Sequence, residues 1–323
     1  MTTRTGNTVS ALLIGRLAAC LVLAGTCVAQ QADQASPVST PASGKEVGTA
    51  KVRFLAVDHT GNPIDDLRAE EFSLRIDNEL PKIVSLSPAN GEPRTIGLFF
   101  DISGSRRFDK VLFKEVQATA KFLESVWRPA DGGFVIVFND RPYTLAKPTT
   151  NLQELQAALQ TIPMESYRGS TALNDALSSI RFGPQSLDRE KVFVVVSDFQ
   201  DNSSRKSKEE MIQTMQTDGV RVFILLRPLE SETHRETLPH DKKIAKEVAE
   251  KTGGDVFVVT NQIELDAAFQ RLIGELHGAY RLAYEPLPSA GNLRKLELKT
   301  TRPDVDLLYP KKTENSQGPG APR

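Results

Sequence analysis

Between Thr95 and about His277 the chain alternates short, uninterrupted apolar runs with segments whose apolar residues recur every three or four positions. The runs at 96–100, 134–138, 192–196, 222–226 and 256–259 predict strands buried on both faces, as in a parallel sheet covered by helices. Phe108, Leu112, Val116, Ala120, Leu123 and Val126 put one apolar stripe on a long helix between the first two runs. Helical spacing returns at 152–159, 172–180, 208–215, 243–251 and 264–276, and Gly253-Gly254 stops the fourth of these as a C-terminal cap would. This rhythm predicts an α/β fold, a doubly wound and mostly parallel sheet, over residues 95–277.

The flanks follow a different period. Val52 to Val57, Phe72 to Ile76 and Lys82 to Leu86 read as short strands within 51–94, with turns at His59-Thr60-Gly61-Asn62-Pro63 and Asp77-Asn78. Ala279 to Tyr284 and Leu293 to Thr300 look β again within 278–312. Each set is too small to hold a core alone, so the early and late strands are expected to pair into one antiparallel β-module with the α/β segment inserted between them. Residues 30–50 read as a flexible linker, and 313–323 as a disordered tail.

The first 29 residues change the picture of where the protein works. Arg4 and Arg16 give a basic start, 17–28 is an apolar core too short to span a bilayer, and Cys27-Val28-Ala29 offers small residues before a cut that leaves Gln30 first. An exported product, secreted, periplasmic or held at the cell surface, follows, with no stable membrane span. Leu17-Ala18-Ala19-Cys20 is a rival lipidation signal, with Arg16 an awkward flank for it. Both cysteines, Cys20 and Cys27, lie in this leader, so cleavage after Ala29 leaves a chain without thiol chemistry. Losing Arg4 and Arg16 takes the basic residues from 40 to 38 against 41 acids, a net charge of −3. With no basic cluster interleaved with aromatics, nucleic acid is excluded as the expected partner.

Candidate chemistry sits at the carboxyl end of the first apolar run. Asp101-Ile102-Ser103-Gly104-Ser105 supplies an acid and two hydroxyls at the sheet edge where ligands bind in open α/β folds. These are oxygen donors, suited to a hard cation such as Mg²⁺ or Mn²⁺ and not to zinc. Gly169-Ser170-Thr171 adds a hydroxyl before a helical pattern, and Val192 to Ser197 ends at Asp198.

Asp-x-Ser-x-Ser, a downstream threonine and a later strand-end aspartate resemble the metal-ion-dependent adhesion site of von Willebrand factor type A (VWA) domains. With Asp58 to Ile64 and Tyr280 to Pro286, the layout over about 50–310 is similar to the bacterial exported VWFA-related group. The resemblance implies that Ser103 and Ser105 bind the cation directly and that Thr171 joins in the ligand-ready state. Asp101 and Asp198 would balance charge through waters. One position would remain for a carboxylate of a protein partner, from Asp or Glu. The family usually has Gly where Phe199 stands, a departure that leaves room for the ring to crowd the rim and for Asp201 to add negative charge, with Arg106-Arg107 either compensating or simply a solvated helix start. The bland alternative is a metal-free domain in which Ser105 and Ser170 only cap helices.

Other candidates carry less. His234 and His240 stand in a polar segment, read as a loop, without zinc-ligand spacing, and Asp65-Asp66 and Glu70-Glu71 read as a solvated face. No nucleophile elbow, Walker loop or dinucleotide fingerprint occurs. The expected function is therefore non-enzymatic: cation-dependent protein binding or adhesion. A structural scaffold with a vestigial site is the alternative, and a metal-assisted hydrolase a more distant one.

Overall fold

A computed structural model of the protein describes residues 49–89, 91–105, 112–162, 169–183, 189–228, 232–287 and 293–314. The leader, the linker up to 48, Arg106 to Phe108 and the tail beyond 314 lie outside the described residues. Three strands come first: β1 (Ala50–Val57), β2 (Phe72–Ile76) and β3 (Ile83–Pro88). The α/β segment follows with β4 (Arg94–Asp101), α1 (Leu112–Val126), β5 (Gly132–Phe138), β6 (Pro142–Thr149), α2 (Leu152–Gln160) and α3 (Leu173–Leu177). It continues through β7 (Glu190–Ser197), α4 (Lys208–Asp218), β8 (Val220–Leu226), α5 (Glu232–Thr252), β9 (Val256–Val258) and α6 (Gln262–His277). The strands β10 (Ala279–Tyr284), β11 (Leu293–Thr300), β12 (Asp306–Leu308) and β13 (Lys312–Glu314) come after it.

The α/β segment forms one six-stranded sheet in the order β6-β5-β4-β7-β8-β9. β4 is parallel to both neighbours, β5 and β7, so the chain winds away from it in both directions. The carboxyl ends of β4 and β7 therefore border the crevice at which such sheets bind ligands. Side chains alternate across the sheet. Ile96, Leu98 and Phe100 enter the core with Phe122, Leu155 and Leu272, whereas Phe99, Phe134 and Phe193 enter the opposite one with Met211 and Val248. Gly97 makes room for these rings, since a Cβ there would lie 2.4 Å from Phe134 Cζ.

Two parts differ from the sequence reading. The edge strand β6 pairs antiparallel with β5, with register shifts, and its half-exposed, Pro-containing sequence gave no continuous apolar run. The segment 234–240, read as a loop, lies inside helix α5, whose buried apolar residues Ala245, Val248 and Ala249 lie in its later turns.

Strands from either side of the α/β segment pair with one another. β1 is antiparallel to β10 with Ala50 opposite Tyr284, and β3 lines the other side of β10. The result is two sheets, β12-β1-β10-β3 and β13-β11-β2. They share a core that includes Val52, Phe54, Leu74, Tyr280, Leu282 and Leu296. β13 takes in Thr313 and Glu314, which correct the expected start of the tail.

Buried charge lies along the amino ends of the parallel strands. Arg94 donates from Nη2 and Nε to Asp131 Oδ2 at 2.7 and 3.1 Å, and its backbone N–H reaches Oδ1 at 2.8 Å. Arg221 pairs with Glu190 at 2.9 Å, and Glu92 holds both Arg53 of β1 and Arg281 of β10. Glu275 of α6 is fully buried, and neither carboxyl oxygen has a hydrogen-bond partner among the described residues. Burial, reinforced by Asp255 and opposed by Arg221 and Arg271, pushes its pKa up to about 8.

Asp131→Ala should lower stability by about 3–5 kcal/mol in urea unfolding, because it leaves the Arg94 guanidinium buried and unpaired. The double variant Arg94→Met/Asp131→Leu should recover most of that loss. For Glu275 the folded state holds a proton that the unfolded chain releases near pH 4.5, so stability should fall as pH rises from there to about 8. Denaturation of Glu275→Gln across that range should show a smaller decline than the parent.

Candidate metal-binding site

Three loops at the carboxyl edge of the sheet bring the singled-out residues together. Asp101 ends β4 and is fully buried with both oxygens engaged. Oδ1 accepts the Ser103 backbone N–H at 2.9 Å, and Oδ2 accepts the Ser197 hydroxyl at 2.6 Å. β4 and β7 are paired in register up to Phe100 opposite Val196, so Asp101 and Ser197 emerge side by side. Ser103 Oγ lies 2.9 Å from Ser105 Oγ, which donates to Asp198 Oδ2 at 2.8 Å. A continuous chain of hydroxyls and carboxylates thus crosses from the first loop to the third. Asp198 is fully buried, and Ser105 is the exposed member.

The second loop is tied to both others. Gly104 N–H donates to Gly169 O at 3.0 Å, where Gly169 turns with φ +85°. The Thr171 N–H donates to Asn202 Oδ1 at 2.7 Å, while Thr171 O accepts the N–H groups of Asn202 and Ser203 at 3.0 and 3.1 Å. Thr171 is 3% exposed, so its position beside the Asp198 loop is fixed by backbone contacts on both of its sides. Ala172 N–H completes the seam at 2.6 Å from Asn139 O.

Phe199 does not crowd the rim. It adopts φ 64°, the left-handed conformation that glycine takes freely, and its ring is buried in the core beneath the loop. The family's glycine preference is met in backbone shape, and the burial of the ring offsets the strain. Asp201 is held within the loop by neutral donors. Its Oδ2 accepts the Asn174 N–H at 2.8 Å and the Ser204 hydroxyl at 2.5 Å, and Ser204 Oγ accepts the Asp175 N–H at 3.0 Å. α3 has Ala172 at its N-cap and no side-chain cap of its own, so these groups from the third loop cap it. Ser170 is accordingly not the cap. Gln200 extends the link to α5, donating to Thr237 Oγ1 and Asp241 Oδ2 at 2.8 and 3.0 Å.

Sequence reasoning missed Ser197, Asn202 and Ser203. Ser197 precedes Asp198 in the quoted run, and its alternation along β7 placed it on the site side of the strand end. Asn202 sits in the polar stretch after Phe199, where only the fold reveals the bond to Thr171. The elements away from the site are structural: Asp66 pairs with Arg302 at 2.6 Å, and Glu71 accepts the Arg68 N–H at 2.8 Å. Trp127 packs half-buried against the core of α1, α2 and α6. Among the described residues no group of three or more His, Cys, Asp or Glu side chains is arranged to hold a metal. Any cation at this edge would rest on two carboxylates and the hydroxyls of Ser103, Ser105 and Thr171, a donor set that fits a hard ion. No described helix is long and apolar enough to cross a membrane.

No curated protein matches the chain in sequence. Among solved structures, an aerotolerance-related membrane protein from Bacteroides fragilis is 19% identical, covering 57% of this chain and 98% of that one, with a TM-score of 0.46. A von Willebrand factor type A protein from Catenulispora acidiphila is 10% identical over 85% of this chain and 74% of its own, with a TM-score of 0.49. Proximal thread matrix protein 1 from the mussel byssus, solved with a zinc-occupied MIDAS motif, is 16% identical over 61% of this chain and 48% of its own, at 0.47. A family profile described as VWA domain containing CoxE-like protein matches residues 44–250. That span takes in all three loops and the strands β4 to β8 of the sheet that carries them, and the chain belongs to this VWA family.

Proposed function

We propose that the protein is an exported binding module, with residues 95–277 as its VWA unit, that engages a protein partner through a divalent cation held at the three loops. The observation that carries this reading is the hydroxyl–carboxylate chain from Ser103 through Ser105 to Asp198, at 2.9 and 2.8 Å, beside a fully buried Asp101. Ser103, Ser105 and Thr171 would offer hydroxyl oxygens, and Asp101 and Asp198 the balancing charge. A bound Mg²⁺ or Mn²⁺ supplies a Lewis-acidic position that a carboxylate from outside can occupy. The work of the chain itself is to preorganise the loops. Asp101 is oriented by Ser197 and the Ser103 N–H, and Thr171 by Asn202. Ser105 faces solvent, which gives an incoming Asp or Glu an approach.

Three hydroxyls and a two-acid balance also argue for binding over hydrolysis. A closed electrostatic balance around the cation welcomes an anionic ligand. Hydrolysis would in addition need a general base within reach of a metal-bound water.

Calorimetric titration of the purified protein with Mg²⁺ and with Mn²⁺ should give saturable binding that is lost in both Ser103→Ala and Asp101→Ala. Wild-type protein that takes up neither ion, alone or with an added acidic partner, would remove the proposal. In envelope and secreted fractions, capture of a partner by the immobilised protein should disappear on chelation and return with Mg²⁺. A partner retained equally under both conditions would favour the scaffold reading, in which the β-module mediates assembly.

A further inference from the structure

The outer face of the three-stranded sheet carries cations that its own acids do not answer. Along β11, Leu296 and Leu298 point into the module core, so Lys295, Glu297 and Lys299 share the opposite face. Lys295 stands directly across from Lys312 of β13, and like charges opposite one another weaken a sheet. Glu297 meets Lys295 at 2.6 Å, and Lys299 and Arg75 join Lys295 in holding its carboxyl below the usual range. Among the described side chains of this face, Glu297 is the acid set against Arg75, Lys295, Lys299 and Lys312, in a chain whose formal net charge is −1. The accumulation is local, and it has no evident use within the fold.

This face forms one wall of a cleft of about 870 Å³, with α4 as the other. Five lysines line it: Lys251, Lys295, Lys299, Lys311 and Lys312. Lys251 is paired with Glu247 at 2.6 Å, and Lys311 lies 3.7 Å above the Tyr309 ring. Lys299 and Lys312 form no ion pair among the described residues. β13 is the end strand of its sheet, paired with β11 alone, so it presents a strand edge beside the lysines. The facing wall supplies the side-chain amides of Gln213 and Gln216.

We propose that this cleft receives an extended acidic segment of a partner polypeptide, with its Asp and Glu side chains against Lys295, Lys299 and Lys312 and its backbone added to the edge of β13. Strand addition needs an open strand edge, and among the described strands β13 is bordered by β11 alone. A polypeptide fits better than a sulfated glycan or a nucleic acid. Glu209 and Glu297 interrupt the lysines, where a regular polyanion would meet repulsion at each interruption. The surface shares no residue with the Asp101–Asp198 site, so it would work whether or not a cation is bound there.

The test is fluorescence anisotropy with the full chain and a labelled 12-residue peptide alternating Glu with Val and Thr. Binding should be saturable and should weaken by about ten-fold or more in Lys295→Glu/Lys299→Glu/Lys312→Glu, and with added salt. It should be unchanged by chelator, which separates it from the cation reading. Should the triple reversal fail to fold, Lys299→Gln/Lys312→Gln serves in its place. Hydrogen exchange should slow at residues 312–314 when the peptide is present. Wild-type protein that ignores the peptide, a lysine variant of unchanged affinity, or unprotected 312–314 amides would each overturn the proposal. So would a heparin oligosaccharide that binds the cleft and displaces the peptide at lower concentration.

Discussion

The hydrogen bond from Ser197 to Asp101 joins the ends of the two strands from which the sheet winds in opposite directions, and the arrangement of the site depends on it. Parallel pairing in register delivers the two residues to adjacent positions at the sheet edge. Beyond the strand ends the loops are held to one another by backbone bonds and by side chains together. Asp101 occupies one oxygen with Ser197 and the other with the Ser103 N–H, which sets the direction in which the first loop leaves the sheet. The Ser197 hydroxyl also accepts the Phe199 N–H at 2.9 Å, so the same residue sets how the third loop leaves. One buried hydroxyl therefore governs the approach of two loops, a case in which a low-dielectric surrounding strengthens a small polar cluster.

The α/β segment was legible because its physics is local. Continuous apolar runs such as 192–196 have few alternatives to a strand covered on both sides, and the stripe from Leu112 to Val126 is a helix by spacing alone. The five residues proposed for the site could be singled out for the same reason, since each follows a strand or precedes a helix. Other features depended on what came close in space. β6 has no continuous apolar run and draws its stability from pairing with β5. The conformation of Phe199 could not be inferred from its side chain, because an aromatic residue ordinarily avoids positive φ. The cap that Asp201 provides to α3 joins residues 27 apart in sequence, and no local pattern announces it.

The second loop also shows how part of a site can be stiff with only a short helix behind it. α3 has five residues and no cap of its own, which is little to stand on. The third loop supplies the caps, Asp175 in turn accepts the N–H groups of Arg205 and Lys206 at 3.0 Å, and the two loops stabilise each other. A change in either would be felt by the other, and Gln200 carries that dependence to α5.

The pairing of β1 with β10 has a consequence for the order in which the chain can fold. Ala50 meets Tyr284 only after more than two hundred intervening residues have been made. The α/β segment has its strand partners within itself and can collapse as it emerges, while β1, β2 and β3 wait with their apolar sides uncovered. For that interval Val52, Phe54 and Leu74 are open strand material. The last-made strands act as the lock on the first-made ones, and the molecule has one moment, late in its synthesis or delivery, when it is most exposed to mispairing.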